Sequence, residues 1–479
     1  MSGTKILEVT ERITAFLVGK AEAWIVGGCV RDLLLGKDPC DLDLVVSGTE
    51  GLVRELALEL KAALVLLSGP FAMYRLVLPR ESGDFYVDIE LVKDSDIIAN
   101  LGRRDFTVDA MALPLTGQRI RMEELIDPWG GRADLQARVI RAVSPGVFKD
   151  DPVRALRAYR LAGDLGFAID HATLCYLKTM KRKFETVAGE RIWREFRAIL
   201  ALKRASGILK DMEDQASMLS SLIPELAPLK AVGRGRKHVL NAWDHTVLAL
   251  EMLEEILEPR EQGRFARASR LYRTAARGAA HDWTPALKLG MLLHDAGKPL
   301  VTGSRDEGPE FPGHEKAGLD IAKAVGERWR LPGWERMVVE HVVGGHMHPL
   351  YLYLDKESSL RARRRFAHKH GEYAPLILIS SLADVSATRM AAGEESEREA
   401  YEEFVCDFLQ FIITEGHEWQ KLPRYIDGEK VMKILGIGPS PEVGRVLKLV
   451  AEKEIKGEIT KEREAEDFVR MHYEKGSPV

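Results

Sequence analysis

The stretch WIVGGCVRDLLLGKDPCDLDLVV, residues 24–46, decides the fold class and poses the chemical question. Asp41 and Asp43 alternate with Leu42 and Leu44 inside an apolar run. In a strand, successive side chains face opposite ways, so the two aspartates share one face and the leucines pack on the other. Two neighbouring carboxylates repel, and one is driven toward protonation unless something positive lies between them. A divalent cation is the usual answer, and oxygen-only ligands favour Mg²⁺ completed by substrate phosphates. A lone Asp-x-Asp is most often a solvated strand end. Here the context adds to it. Gly27 and Gly28 let backbone N–H groups approach a phosphate, and a helix starting at Cys29 or Val30 would aim its donors there. Arg31 adds a planar cationic fork. A phosphate cradle beside a metal-binding carboxylate pair fits phosphoryl or nucleotidyl transfer. Asp88 and Glu90, on one face of FYVDIELV (85–92), are candidates for a third carboxylate, with Asp88 preferred.

Around this stretch, residues 22–115 carry short β-like runs: AWIVGG, DLDLVVSG, AALVLLSG, YRLVLP and FYVDIELV. GTEGLVRELALELKA (48–62) has helical spacing between two of them. After about residue 145 the strand signals stop, and apolar residues recur at i, i+3, i+4. Turn chemistry breaks the helices near residues 231–238, 302–314 and 436–444. The head is therefore a small α/β or α+β unit with a mixed sheet, followed by helical domains. The expected boundaries are 1–143, 144–232, 233–392 and 393–479.

A chain of 479 residues is too long for one core. With 46% hydrophobic and 30% charged residues, the composition is that of an ordinary globular protein. No apolar run approaches the ~20 residues of a membrane span. MSGTKILEVTERITAF reads as an amphipathic helix, not a signal peptide. Cys29, Cys40, Cys175 and Cys406 are scattered without CxxC spacing, which favours a reducing, cytoplasmic setting. A net charge of −4 leaves nucleic-acid binding to local basic patches.

GGCVRDLLLG…DLDLV resembles the head of the tRNA nucleotidyltransferases and bacterial poly(A) polymerases, within the polymerase-β-like nucleotidyltransferases. RRDFTVDAMAL (103–113), DDPVRALRAYRLAGDLGF (150–167) and GERIWREF (189–196) resemble three further motifs of that family, in order. The resemblance implies a polymerase-β-like head, a helical neck with a nucleotide-recognition helix, and template-free addition of C and A to the tRNA 3′ end from CTP and ATP. It implies that Asp41 and Asp43 hold Mg²⁺, that Gly27, Gly28 and Arg31 handle the triphosphate, and that Arg103, Arg104 and Asp105 contact nucleotide and brace the site. Asp151 and Arg154, with Arg157 a turn on, would read the base edge: Asp accepts and Arg donates. Apart from the upstream motifs, Asp151 and Arg154 would read as an exposed i,i+3 ion pair. Asp109 stands where the family is expected to have Asn, and Asp150 where Glu is usual. The segment joining YVDIELV to RRDFT is short, as in relatives that add only the two cytidines. CC-only addition and poly(A) synthesis are therefore the alternatives.

A second constellation lies downstream. His245, His294, Asp295, His314, His346 and Asp384 occur in an order that looks like a metal-dependent HD phosphohydrolase domain. Imidazoles with carboxylates suit a divalent transition metal, which could activate water against a phosphoester. Hydrolysis of RNA ends or nucleotides by this unit is the reading of another class. Histidines 341 and 348 are expected to be surface or core residues. Arginines at 260, 264, 267, 270, 273 and 277, and again at 361 and 363–365 with Lys369, recur at helical spacing. Arg264, Arg267, Arg363 and Arg364 are the candidates for tracking RNA phosphates. Neutralisation by nearby acids is the equally weighted alternative.

Overall fold

The computed structural model describes residues 3–67, 72–79, 84–92, 96–116, 120–180, 183–233, 239–259, 261–301, 303–305, 308–356, 359–419, 425–455, 458–459 and 461–474. The chain divides into two compact units, Met1–Ile199 with Asp211–Leu222, and Leu200–Lys210 with Ile223–Val479.

The first unit is built on a six-stranded mixed sheet. Its strands are β1 (Ala23–Val26), β2 (Leu42–Ser47), β3 (Ala63–Leu67), β4 (Met73–Leu78), β5 (Phe85–Val92) and β6 (Ala112–Pro114), in the order β3-β4-β5-β2-β1-β6. β2 and β5 run parallel; the other pairs are antiparallel. All five sequence-read strands are present. β6 was not foreseen, because three residues carry no usable period. The helices are α1 (Gly3–Leu17), α2 (Gly28–Leu34), α3 (Glu50–Leu60), α4 (Arg154–Leu165) and α5 (Gly189–Leu200). At the start of β2 Leu42 and Leu44 are fully buried and Asp43 is half-buried; Asp41 lies just before the strand and is exposed, and Val45 and Val46 are both buried. Trp24, Val26, Val45 and Ala112 form one apolar layer with Ile97 and Leu101.

The second unit is mainly helical. Its principal helices are α6 (Ala242–Leu257), α7 (Ala266–Ala275), α8 (Thr284–Leu293), α9 (His314–Arg328), α10 (Gly333–Gly345), α11 (Leu360–His370), α12 (Ala374–Ala392) and α13 (Glu395–Trp419). Tyr401, Phe366 and Phe408 are among its fully buried large side chains. At its end, Ile426, Val431, Val443, Val446, Val450, Ile459, Ala465 and Val469 form a small separate core. Among the described residues no helix is long and apolar enough to cross a membrane.

Strands do not stop at residue 145. Val139–Ile140 pairs with Ala168–Ile169, and Gly303–Arg305 with Gly308–Glu310. These ladders of two or three residues are set by tertiary pairing, not by local pattern. The break at 436–444 is a helix end, with Gly436 at φ +65° between Gly428–Leu435 and Pro441–Ile455. Residues 234–238, 302 and 306–307 of the other two breaks, and residue 260, lie outside the described residues.

Candidate functional site

Gly27 ends β1 at φ +72°, ψ −143°, a conformation close to glycine-only. A Cβ there would stand 2.8 Å from Arg104 Nη1 and 3.0 Å from Asp43 Oδ2. The turn therefore brings β1, the metal-type carboxylate and the half-buried Arg104 guanidinium together. Gly27→Ala is expected to lower both the melting temperature and nucleotide addition, because backbone strain of about 1–3 kcal/mol adds to the clash. Thermal melting and a gel assay read the two effects.

Asp43 lies in register with Asp88 across the parallel β2–β5 pair. Burial first, and then the neighbouring Asp41 charge, push its carboxyl up to about 7. Asp41, exposed as a residue, has its carboxyl raised by that group's partial burial and by Asp88. The donor set is all oxygen, and its members hold each other's charge down. It therefore fits a hard divalent cation. Asp88 itself is gripped by Arg75 on β4, with two bonds of 2.7 Å, and Glu90 sits 3.2 Å from Arg103.

Arg31, expected at the triphosphate, is buried. Its Nη1 lies 2.7 Å from Asp109 and its Nη2 2.9 Å from Asp32. The unusual Asp109 thus has a local reason: it carries the counter-charge of a buried arginine. The guanidinium placed near Asp43 is that of Arg104, whose Nε is buried without a hydrogen-bond partner.

Asp43, Asp88, Glu90, Arg103, Arg104, Asp105, Asp151, Arg154, Arg157, Arg191, Arg194 and Glu195 line one cavity of about 380 Å³. Asp105 is bonded to Arg157 at 2.6 Å, and that arginine holds its carboxyl below the ordinary value despite burial. Arg154 donates to the Arg103 carbonyl at 3.0 Å and to that of Val147 at 3.3 Å. The i,i+3 ion pair does not form. Asp151 pairs instead with Arg191 on α5, 2.6 Å away. Arg191, Arg194 and Glu195 were not singled out from the sequence, although they sit inside the quoted GERIWREF motif.

In the helical unit the six sequence-read residues converge. His245 Nε2 is 2.9 Å from Asp384 and 3.6 Å from Asp295. His294 Nε2 is 3.4 Å from Asp295 and 3.7 Å from Asp384. His314 Nε2 is 3.4 Å from Asp295 and 3.1 Å from His346 Nε2. Three rings are fixed from behind: the Nδ1 atoms of His294, His314 and His346 donate to the carbonyls of Met291, Phe311 and Val343 at 2.7, 2.9 and 2.9 Å. A carbonyl only accepts, so each Nδ1 carries a hydrogen and each Nε2 is the atom turned inward. Burial pushes His346 down to about 3, so it is neutral. Two Nε2 atoms 3.1 Å apart, and a buried His294 Nε2 without a hydrogen-bond partner, fit a cation held in their midst. Among the described residues, His245, His294 and Asp384 form one ligand-compatible group and Asp295, His314 and His346 a second. Gly297 permits this closure: a Cβ would lie 2.1 Å from the His314 carbonyl.

The candidate RNA arginines have internal partners. Arg267 meets Glu403 and Asp407, and Arg364 meets Glu415. Arg363 donates to the Asp407 carbonyl and lies over Phe408, and Arg264 contacts Met390 and Glu255. His348 and His370 are 3.0 Å apart, and His341 stacks on Tyr373.

Three family models match the chain: "Poly A polymerase head domain" over residues 23–70 and 78–141, "Probable RNA and SrmB- binding site of polymerase A" over 166–230, and "HD domain" over 267–387. Nucleotidyltransferase and HD domains are generally metal-dependent, in keeping with both ligand sets. The chain is 31% identical over 461 residues to the A-adding tRNA nucleotidyltransferase of Deinococcus radiodurans, covering 94% of this chain and 95% of the relative. It is also 31% identical over 464 residues to the CC-adding tRNA nucleotidyltransferase of Thermus thermophilus, covering 94% and 93%. The apo form I of a CCA-adding enzyme superposes with a TM-score of 0.62 at 22% identity, covering 98% of this chain and 94% of that one, which matches the fold. With two relatives matched along nearly their whole length and three domain models in order, the chain belongs to the tRNA nucleotidyltransferase family.

Proposed function

We propose that this protein adds C and A residues to the tRNA 3′ end from CTP and ATP, releasing pyrophosphate and using no nucleic-acid template. The observation that carries the reading is the single cavity lined by Asp43, Arg104, Asp151 and Arg154. It puts a metal-type carboxylate, a phosphate-type cation and a donor–acceptor pair for a base within one nucleotide's reach.

Asp41 and Asp43 would hold Mg²⁺, which when bound supplies Lewis acidity and neutralises phosphate charge. Arg104 and the open turn at Gly27 and Gly28 receive the triphosphate. Asp105, fixed by Arg157, braces the turn after the helix Ile97–Gly102, on which Arg103 and Arg104 sit. Asp151 accepts from the exocyclic amine of cytosine or adenine, and Arg154 swings from the Arg103 carbonyl to donate to the ring nitrogen. The 3′-hydroxyl oxygen attacks the α-phosphorus, and the bond to the β-phosphate breaks. The division into head, neck, HD and tail parts, and a cytoplasmic setting suggested by four free cysteines, belong to the same reading.

A narrower reading has one observation in its favour: two relatives matched over more than nine-tenths of both chains are an A-adding and a CC-adding enzyme. One gel decides. Transcripts ending before C74, after C74 and after C75 are incubated with CTP or ATP alone. The full reaction extends the first two with CTP and the third with ATP. Extension only with CTP, or only of the third transcript with ATP, identifies a specialist, and long A tails a poly(A) polymerase. The helical unit carries a second, separate activity in this proposal: His245, His294, Asp295, His314, His346 and Asp384 would hold a divalent transition metal for phosphoester hydrolysis.

A further inference from the structure

We infer that Arg191 is a positioning residue for base selection: it fixes the Asp151 carboxylate so that this group selects bases carrying an exocyclic amine. The inference deepens the proposed function and rests on Asp151 as the base reader.

Asp151 has two oxygens with about four acceptor sites. Oδ2 accepts from Arg191 Nη2 at 2.6 Å, and Oδ1 accepts from the Val153 backbone N–H at 3.2 Å. Both C–O bonds are thereby oriented, and lone pairs remain for one further donor. Arg191 is not placed by chance contact. On α5 it stands four residues before Glu195, which is buried and bonded to Arg160 at 3.0 Å, with Arg157 3.9 Å away. Glu195 therefore sets the register of α5 on α4, and one turn earlier the same face delivers Arg191 to Asp151. Arg154 does not do this job, because its donors go to the Arg103 and Val147 carbonyls.

The chemistry gives Arg191 a defined effect. Cytosine and adenine present an amine to the carboxylate; uracil and hypoxanthine present a carbonyl oxygen at the same place. A carboxylate held in one orientation meets that oxygen head-on. A carboxylate free to rotate turns away and tolerates it. Arg191 therefore acts more on rejection of the wrong base than on binding of the triphosphate.

The test uses the full-length enzyme and reads kcat/KM for CTP against UTP on a transcript ending before C74, and for ATP against ITP on one ending at C75. For whichever pair the wild type uses, Arg191→Ala should lower the amine-over-carbonyl preference about tenfold or more. Arg191→Lys, which keeps a point charge but loses the fork, should fall between the two. Arg191 is about half exposed, so melting should stay close to wild type. An unchanged preference, or an equal rise in KM for all four nucleotides, overturns the inference; the latter would place Arg191 on the triphosphate. Asp151→Ala is the control. If it keeps the wild-type preference, the base-reading assignment itself has failed.

Discussion

Asp43→Asn is expected to abolish nucleotide addition and, in metal-free protein, to raise stability. The two effects share one cause. In the folded chain the Asp43 carboxyl takes up its proton near pH 7, against an ordinary value of 3.8. Between those values the folded state binds more protons than the unfolded one, so this group's contribution falls as pH rises through the window. Above about pH 7 the ionised carboxylate is a destabilising charge, on the order of 2–4 kcal/mol after allowance for its partial exposure. Asparagine removes that charge while keeping the shape. In chelator at pH 8 the variant should melt several degrees above wild type, and the gap should close toward pH 4. With Mg²⁺ the order reverses, since only the wild type gains from the cation. Nucleotide addition should drop by at least about 10³-fold, with tRNA binding retained. A variant that melts with wild type in chelator at pH 8 would remove the electrostatic argument. One that still adds nucleotide would remove the metal assignment.

The alternation of Leu42, Asp43 and Leu44 was legible because a period of two needs only a few residues. The partners of the charged groups were not. Arg31 and Asp109 are 78 residues apart, and nothing local says that one will bury the other. Asp151 and Arg154 have the spacing of a helical ion pair, yet tertiary contacts with Arg191 and Arg103 outbid it. The helical ligand set was legible because His, His-Asp, His, His and Asp are rare and ordered. The carbonyls that orient its rings are backbone atoms and leave no mark in sequence. The arginine faces show the same limit from the other side. Spacing predicts a basic stripe, but the acids opposing Arg267 and Arg364 lie on α13, which only the fold brings there. Along the same stretch Arg270, Arg273 and Arg277 carry no side-chain ion pair among the described residues.

The second large effect belongs to the helical unit. Adding Mn²⁺, Ni²⁺ or Zn²⁺ to chelator-treated protein should raise its melting temperature markedly. At a hundredfold excess over the dissociation constant the gain is about 2.7 kcal/mol, several degrees for a unit of this size. The reason is geometric. The Nδ1 bonds of His294, His314 and His346 hold their Nε2 atoms toward one another before any ion arrives, so binding needs little reorganisation. His346→Ala and Asp295→Ala act differently without metal. The alanine at 346 removes a neutral, crowded ring, whereas the alanine at 295 removes a buried carboxylate that lies 2.5 Å from Lys298. Asp295→Ala should therefore melt lower in chelator, and both variants should lose the metal-induced rise. Neither should change nucleotide addition, because Asp43 and Arg104 belong to the other unit. Hydrolysis of a chromogenic phosphodiester by the metal-loaded wild type, absent in Asp295→Ala, would establish the second activity. A metal-induced rise that survives in both variants would mean the ion binds elsewhere, and the six-residue cluster would then be only a buried polar network.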